Sequence, residues 1–214
     1  MNKQLRILAS LLAISLLGAC ATSRSVLDVQ APTGQPENAN GKQVFINPAV
    51  DKRIFQVNPS TPDTPSLDPS ENQNDSIKNR AIGRKRNGFG KALGDIVLKD
   101  GQSVESLTAS SIRQAFVEKG YTIITNKDQI GKDTFVVDAN IEKFWAWMNP
   151  GFASITLSTE ISTELDIKSP LDNSKEKIYV KAADSFQLGT ESNWIEVINQ
   201  ALRLYVDDLK SKLK

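Results

Sequence analysis

Residues 134–168 read TFVVDANIEKFWAWMNPGFASITLSTEISTELDIK, and this stretch decides the fold. Phe135, Val137, Ala139, Ile141, Trp145 and Trp147 are expected on one face, with Asp138, Asn140 and Glu142 on the other. A period of two is that of a β-strand with one buried face. Asn149-Pro150-Gly151 marks a turn. The alternation then resumes, with Ala153, Ile155, Leu157, Ile161, Leu165 and Ile167 inward. Ser154, Thr156, Ser158, Glu160, Ser162, Glu164 and Asp166 are expected to face out. Residues 169–174 turn the chain and 177–186 supply a third strand. The three together predict an antiparallel meander with one wet face.

Outward from the meander, the period changes. Trp194, Val197, Ile198, Ala201, Leu202, Tyr205, Leu209 and Leu213 follow i, i+3, i+4, i+7 spacing, which predicts an amphipathic closing helix. Lys210, Lys212 and Lys214 suit the negative end of its dipole. Its polar face also carries Glu196, Asp207 and Asp208, so it packs on the sheet rather than seeking a membrane. Residues 103–119 predict a second helix, with Ser103 as its cap, Glu105 in the first turn and Gly120 past its end. Strands are expected at 121–125 and 43–47, with pairing resumed over 53–57. The fold class is α+β: a mostly antiparallel β-sheet with two helices packed on one face.

The N-terminus reads as an address. Lys3 and Arg6 precede an apolar run over 7–17, which is signal-peptide length and short of the roughly 20 residues of a spanning helix. The run ends in Leu17-Gly18-Ala19-Cys20, which resembles a bacterial lipobox. The resemblance implies cleavage between Ala19 and Cys20 and acylation of Cys20 as the mature N-terminus. The plain alternative is secretion with a free thiol. In the sorting logic of such lipoproteins, Ala21 after the cysteine implies the outer membrane. Residues 1–19 are then signal peptide, 20–42 a flexible Ser/Thr/Pro/Gly tether, and 43–214 a single periplasmic domain. Residues 58–76, with four prolines, are expected as a disordered insert in that domain.

Composition narrows the chemistry. The 214 residues hold no histidine and one cysteine, which excludes imidazole bases, catalytic triads, histidine-bound zinc and disulfides. Charge is nearly balanced, 26 Lys+Arg against 25 Asp+Glu, so nucleic acid is not an expected partner. Removing Lys3 and Arg6 leaves 24 basic residues against 25 acidic. No metal site and no cofactor are expected: calcium-loop spacing is missing, and Gly88, Gly90 and Gly94 fit neither a Walker loop nor a dinucleotide fingerprint.

What stands out is a basic run over 77–99 that contains Arg84-Lys85-Arg86 and then Phe89. It reads either as a hairpin with solvated cations or as a contact site for an acidic partner, lipid headgroup or glycan. Phe144, placed by the alternation opposite Trp145 and Trp147, is a second candidate contact residue. Glu160, Glu164 and Asp166 share a strand face about 6.6–7 Å apart per step, a spacing open to carboxylate catalysis and equally to an ordinary wet surface.

With this order of elements, the chain resembles the YajG-type bacterial lipoproteins. The residues that carry the resemblance are Leu17 to Cys20, Asp51-Lys52-Arg53 and the helix running into Gly120-Tyr121. The segment 82–90 is similar to related uncharacterised envelope proteins. The resemblance implies no enzymatic activity and no catalytic residues. The expected function is therefore a non-catalytic interaction or structural module, lipid-anchored at the outer membrane, with an envelope protein or the cell wall as partner. A lipid or small-ligand accessory of a transport system is the alternative and predicts an apolar cavity between sheet and helices. A carboxylate hydrolase is the third reading.

Overall fold

In a computed structural model describing residues 23–169 and 173–213, the alternation of 134–168 builds the long central hairpin. The elements run β1 (Ser25–Leu27), β2 (Gln43–Ile46), β3 (Val50–Asp51), α1 (Asp75–Lys78), β4 (Ala81–Arg86), β5 (Ala92–Leu98) and α2 (Val104–Glu118). They continue with β6 (Thr122–Ile124), β7 (Thr134–Pro150), β8 (Ile155–Lys168), β9 (Asn173–Phe186) and α3 (Glu191–Lys212). The fold is α+β. The meander β7–β8–β9 is antiparallel, as is the β4–β5 hairpin.

Most of the pairing is antiparallel, as expected, but the sheet as a whole is mixed. One edge of β7 pairs β8 along its length, while the other receives β2, β3 and β4 in succession, all parallel. β6 adds parallel to β2, and β1 adds parallel to β5. Parallel neighbours need crossovers, which the chain supplies by the loop from β3 to β4 and by α2 before β6.

Both long helices form where the sequence predicts them, α2 behind its expected cap Ser103. Ser103 and Ser106 make a reciprocal capping box at α2, and Thr190 with Asn193 does the same at α3. Gly120 follows α2 at φ +82°, where a side chain would also strike the Asn38 carbonyl. Phe116, Trp194, Ile198, Tyr205 and Leu209 fill the layer between helices and sheet together with Val137, Ile141, Leu157 and Ile161.

Glu118 ties the two helices together. It is the last residue of α2, where the dipole disfavours a carboxylate. Arg203 of α3 compensates by donating from both terminal nitrogens, at 2.8 and 2.9 Å, with Lys210 at 3.3 Å. These bonds, the Arg203 pair first, lower the Glu118 pKa from 4.5 to about 2. The ionised form is thus favoured in the fold, so its contribution is complete above about pH 4.5 and is lost as pH falls towards 2. Arg203→Ala is expected to cost roughly 2 kcal/mol at pH 7, below the 3–5 of a fully buried pair because Lys210 remains. Urea unfolding at pH 7 and pH 3 checks it: the loss should shrink at the lower pH, and an equal loss at both excludes the charge pair as its cause.

Three assignments differ from the sequence reading. The tether expected over 20–42 is already part of the sheet at β1, with Leu27 and Val29 buried. The expected disordered insert 58–76 is instead a strap across the second face of the sheet. It buries Ser66 and Leu67 and presents the Pro62 carbonyl to Trp145 Nε1 at 3.1 Å. The expected strand at 53–57 is the start of that strap, closed by Gln56 N–H donating to the Pro65 carbonyl at 2.9 Å.

Candidate functional site

The strap exists because β7 changes sides. Ile141 pairs Thr163 and Lys143 pairs Ser162, so Glu142 is an extra residue in the ladder. Such a bulge reverses the parity of everything beyond it. Val137, Ala139 and Ile141 face the helices, and past the bulge so do Phe144 and Ala146. Trp145 and Trp147 turn to the opposite face and form a second core with Leu67, Ala81 and Val97, flanked by Phe55. Phe144 is therefore wholly buried at 0% exposure, which corrects its reading as an exposed contact residue.

The basic triplet is corrected in the same way. β4 is paired on both edges, and all six of its residues are buried. Gly83 lets it approach β7 closely, since a Cβ there would lie 2.6 Å from the Ala146 carbonyl oxygen. Arg84 sits opposite Asp95 of β5, with Nε 3.4 Å from the carboxylate, and Arg24 reaches the same carboxylate at 3.2 Å. Lys85 Nζ donates to the Ser23 carbonyl at 3.0 Å and to Ser25 Oγ at 2.9 Å. Arg86 donates to the Gly90 carbonyl at 2.8 Å and to Ser66 Oγ at 3.0 Å. These cations fasten the N-terminal segment, the strap and the hairpin turn to the sheet.

Arg86 is the least compensated of the three. Burial, and then the like charge of Arg84, lower its pKa from the ordinary guanidinium value. Its Nε is buried without a hydrogen-bond partner among the described residues. It lines a cleft of about 320 Å³ with Thr61, Pro62, Gly88, Met148 and Asn149, none of them acidic. Phe89, at the tip of the same hairpin, is 98% exposed, so of the candidate contact residues it alone reaches solvent fully. Cys20 and Ala19 lie outside the described residues.

The carboxylates of β8 meet lysines rather than each other. Glu160, Glu164 and Asp166 stand opposite Lys181, Lys177 and Lys175 of β9, a cross-strand charge ladder. Glu160 is buried, paired with Lys143, and accepts from the Tyr179 hydroxyl. That hydrogen bond to the carboxylate is the main reason the Tyr179 pKa is raised. Lys143 and Lys181 both lie over the Trp147 ring, at 5.7 and 5.0 Å from its centroid, within cation–π range. Tyr179 itself is 53% exposed. This ledge of Tyr179, Lys181 and Trp147 escaped the sequence reading because the parity reversal that makes it follows from the bulge.

Among the described residues there is no group of three or more His, Cys, Asp or Glu placed to hold a metal ion. Nor is any described helix long and apolar enough to cross a membrane. No protein-family model matches the chain, and no curated protein does. Among solved structures, an uncharacterised protein aligns over 90% of this chain and 99% of its own at 7% identity, with a TM-score of 0.49. A Xanthomonas campestris protein of the DUF330 family aligns over 89% and 94% at 12% identity, also at 0.49. A minor lipoprotein from Acinetobacter baumannii aligns over 48% of this chain and 82% of its own, at 12% identity and 0.31.

Proposed function

We propose that the protein is an outer-membrane lipoprotein, anchored through acylated Cys20, whose periplasmic body is a non-catalytic interaction module. The observation that carries this reading is the fate of the charged side chains. Arg84, Lys85, Arg86 and Glu160, the groups the sequence offers for chemistry or contact, fasten loops and strands to one another. Facing outward beside Glu160 is an aromatic and cationic ledge, Tyr179 beside Lys181, of the kind that anchors a protein or cell-wall partner.

The anchor is tested by Cys20→Ser. The variant is expected to move from the membrane fraction to the soluble fraction, and continued sedimentation with outer membranes overturns the anchor. The module is tested by a photoreactive residue in place of Tyr179, with Lys132 as the control position. A discrete protein or peptidoglycan adduct from position 179 is the expected outcome. Absence of any adduct particular to 179 overturns the ledge as a contact surface.

A further inference from the structure

Among the described residues, three of the four most exposed large apolar side chains sit on three different turns: Phe89 at 98%, Phe152 fully exposed, and Leu188 at 70%. Strand register brings these turns to one end of the sheet. β4 runs parallel to β7 with Arg84 beside Trp147, so the Phe89 hairpin lies alongside the turn that follows Pro150. Ile155, just past that turn, pairs Phe186, which leads directly into Leu188. A cleft lined by Lys85, Leu93, Met148, Ile155 and Leu188 lies where the strands leading to these turns meet. Across residues 87–91, 149–154 and 187–190 the sole ionisable side chain is Lys91. Exposed aromatic and aliphatic tips on turns without carboxylates suit the boundary between lipid headgroups and acyl chains.

The chain enters the sheet at this same end. β1 runs parallel to β5, with Ser25 beside Ile96, so the residues before Ser25 lead back towards Ala92 and the hairpin turn. Ser23 is held there by Lys85. Gly94 is needed too, because a Cβ on it would collide with the Ser23 carbonyl. Cys20 precedes Ser23 by three residues, a span of at most about 11 Å. From Ser23 on, the stretch expected as a flexible spacer is thus tied to the sheet.

We infer that this end of the sheet is a membrane-docking face, with Phe89, Phe152 and Leu188 entering the leaflet that holds Cys20. The inference rests on the acylation of Cys20 proposed above. Headgroup phosphates then meet Lys91 and the Arg86 cleft rather than a carboxylate. The sheet stands end-on, and the start of β7 points away from the bilayer. A 17-residue strand puts that start roughly 50 Å from the docking end.

The test uses the full, processed protein in phosphatidylethanolamine–phosphatidylglycerol vesicles that carry brominated acyl chains. Phe89→Cys, Phe152→Cys and Lys132→Cys are each labelled with a fluorophore; acylation blocks Cys20, the one native cysteine, so each label is unique. All three positions are exposed, so the fold is not put at risk. Labels at 89 and 152 are expected to be quenched several-fold more than the label at 132. Flotation with the vesicles but equal, weak quenching at all three overturns the inference, and is the result if these turns meet a protein or a second copy. Failure to float at all overturns the anchor, and the inference with it, so the two failures read differently.

Discussion

Arg53→Ala is expected to lower the unfolding free energy by about 3–5 kcal/mol, the scale of a buried ion pair with one partner removed. The Arg53 side chain is completely buried and joins three parts of the chain. Its Nη1 donates to the Ala81 carbonyl at 2.6 Å and the Phe144 carbonyl at 3.1 Å. Its Nη2 donates to the Lys78 carbonyl at 2.8 Å and to Asp51 at 2.7 Å. Alanine leaves an uncompensated carboxylate beside the sheet and removes donors from three carbonyls where the strap, β4 and β7 meet. Urea denaturation measures the loss. The double variant Asp51→Asn/Arg53→Met should recover part of it, because no isolated charge then remains. A single-variant cost below about 1 kcal/mol would rule out this account of Arg53.

Trp145→Ala is expected to cost a similar 3–5 kcal/mol, with the strap released first. Trp145 is wholly buried, meets Phe55 edge-on at 5.9 Å, and packs with Leu67 under the strap. Trp145→Phe keeps most of that apolar contact and loses the bond to Pro62, so its cost should be nearer 1 kcal/mol. Limited proteolysis separates the two: alanine should expose residues 56–67 to cleavage, while phenylalanine should leave them protected. Equal protection in both variants would show that the second core does not hold the strap.

The same tryptophan shows where sequence reasoning reaches its end. Alternation placed β7 and β8 within a few residues of their observed bounds, since a period of two is a local property of the chain. It put Trp145 on the wrong face, because the extra residue at Glu142 is invisible to a periodicity that runs on either side of it. Phe144 went with it, from exposed candidate to buried core. The basic triplet fails for a related reason. Three consecutive cations read as surface, yet Ser23, Ser25 and Ser66 are brought round them from distant parts of the chain, while Asp95 and Gly90 come from their own hairpin. Phe89 was legible because a hairpin tip between glycines is exposed wherever the hairpin packs.

By itself, the sequence determined the α+β class, the meander and the two long helices, since period and cap act over a few residues. Only the tertiary structure decided which face the tryptophans take, that a proline-rich stretch is a strap, and that Ser25–Leu27 of the expected tether form a strand. Those outcomes depend on partners far away in the chain. β1 has too few apolar residues to predict a strand from composition, and becomes one because β5 offers it a parallel edge while Lys85 and Gly94 hold and admit Ser23.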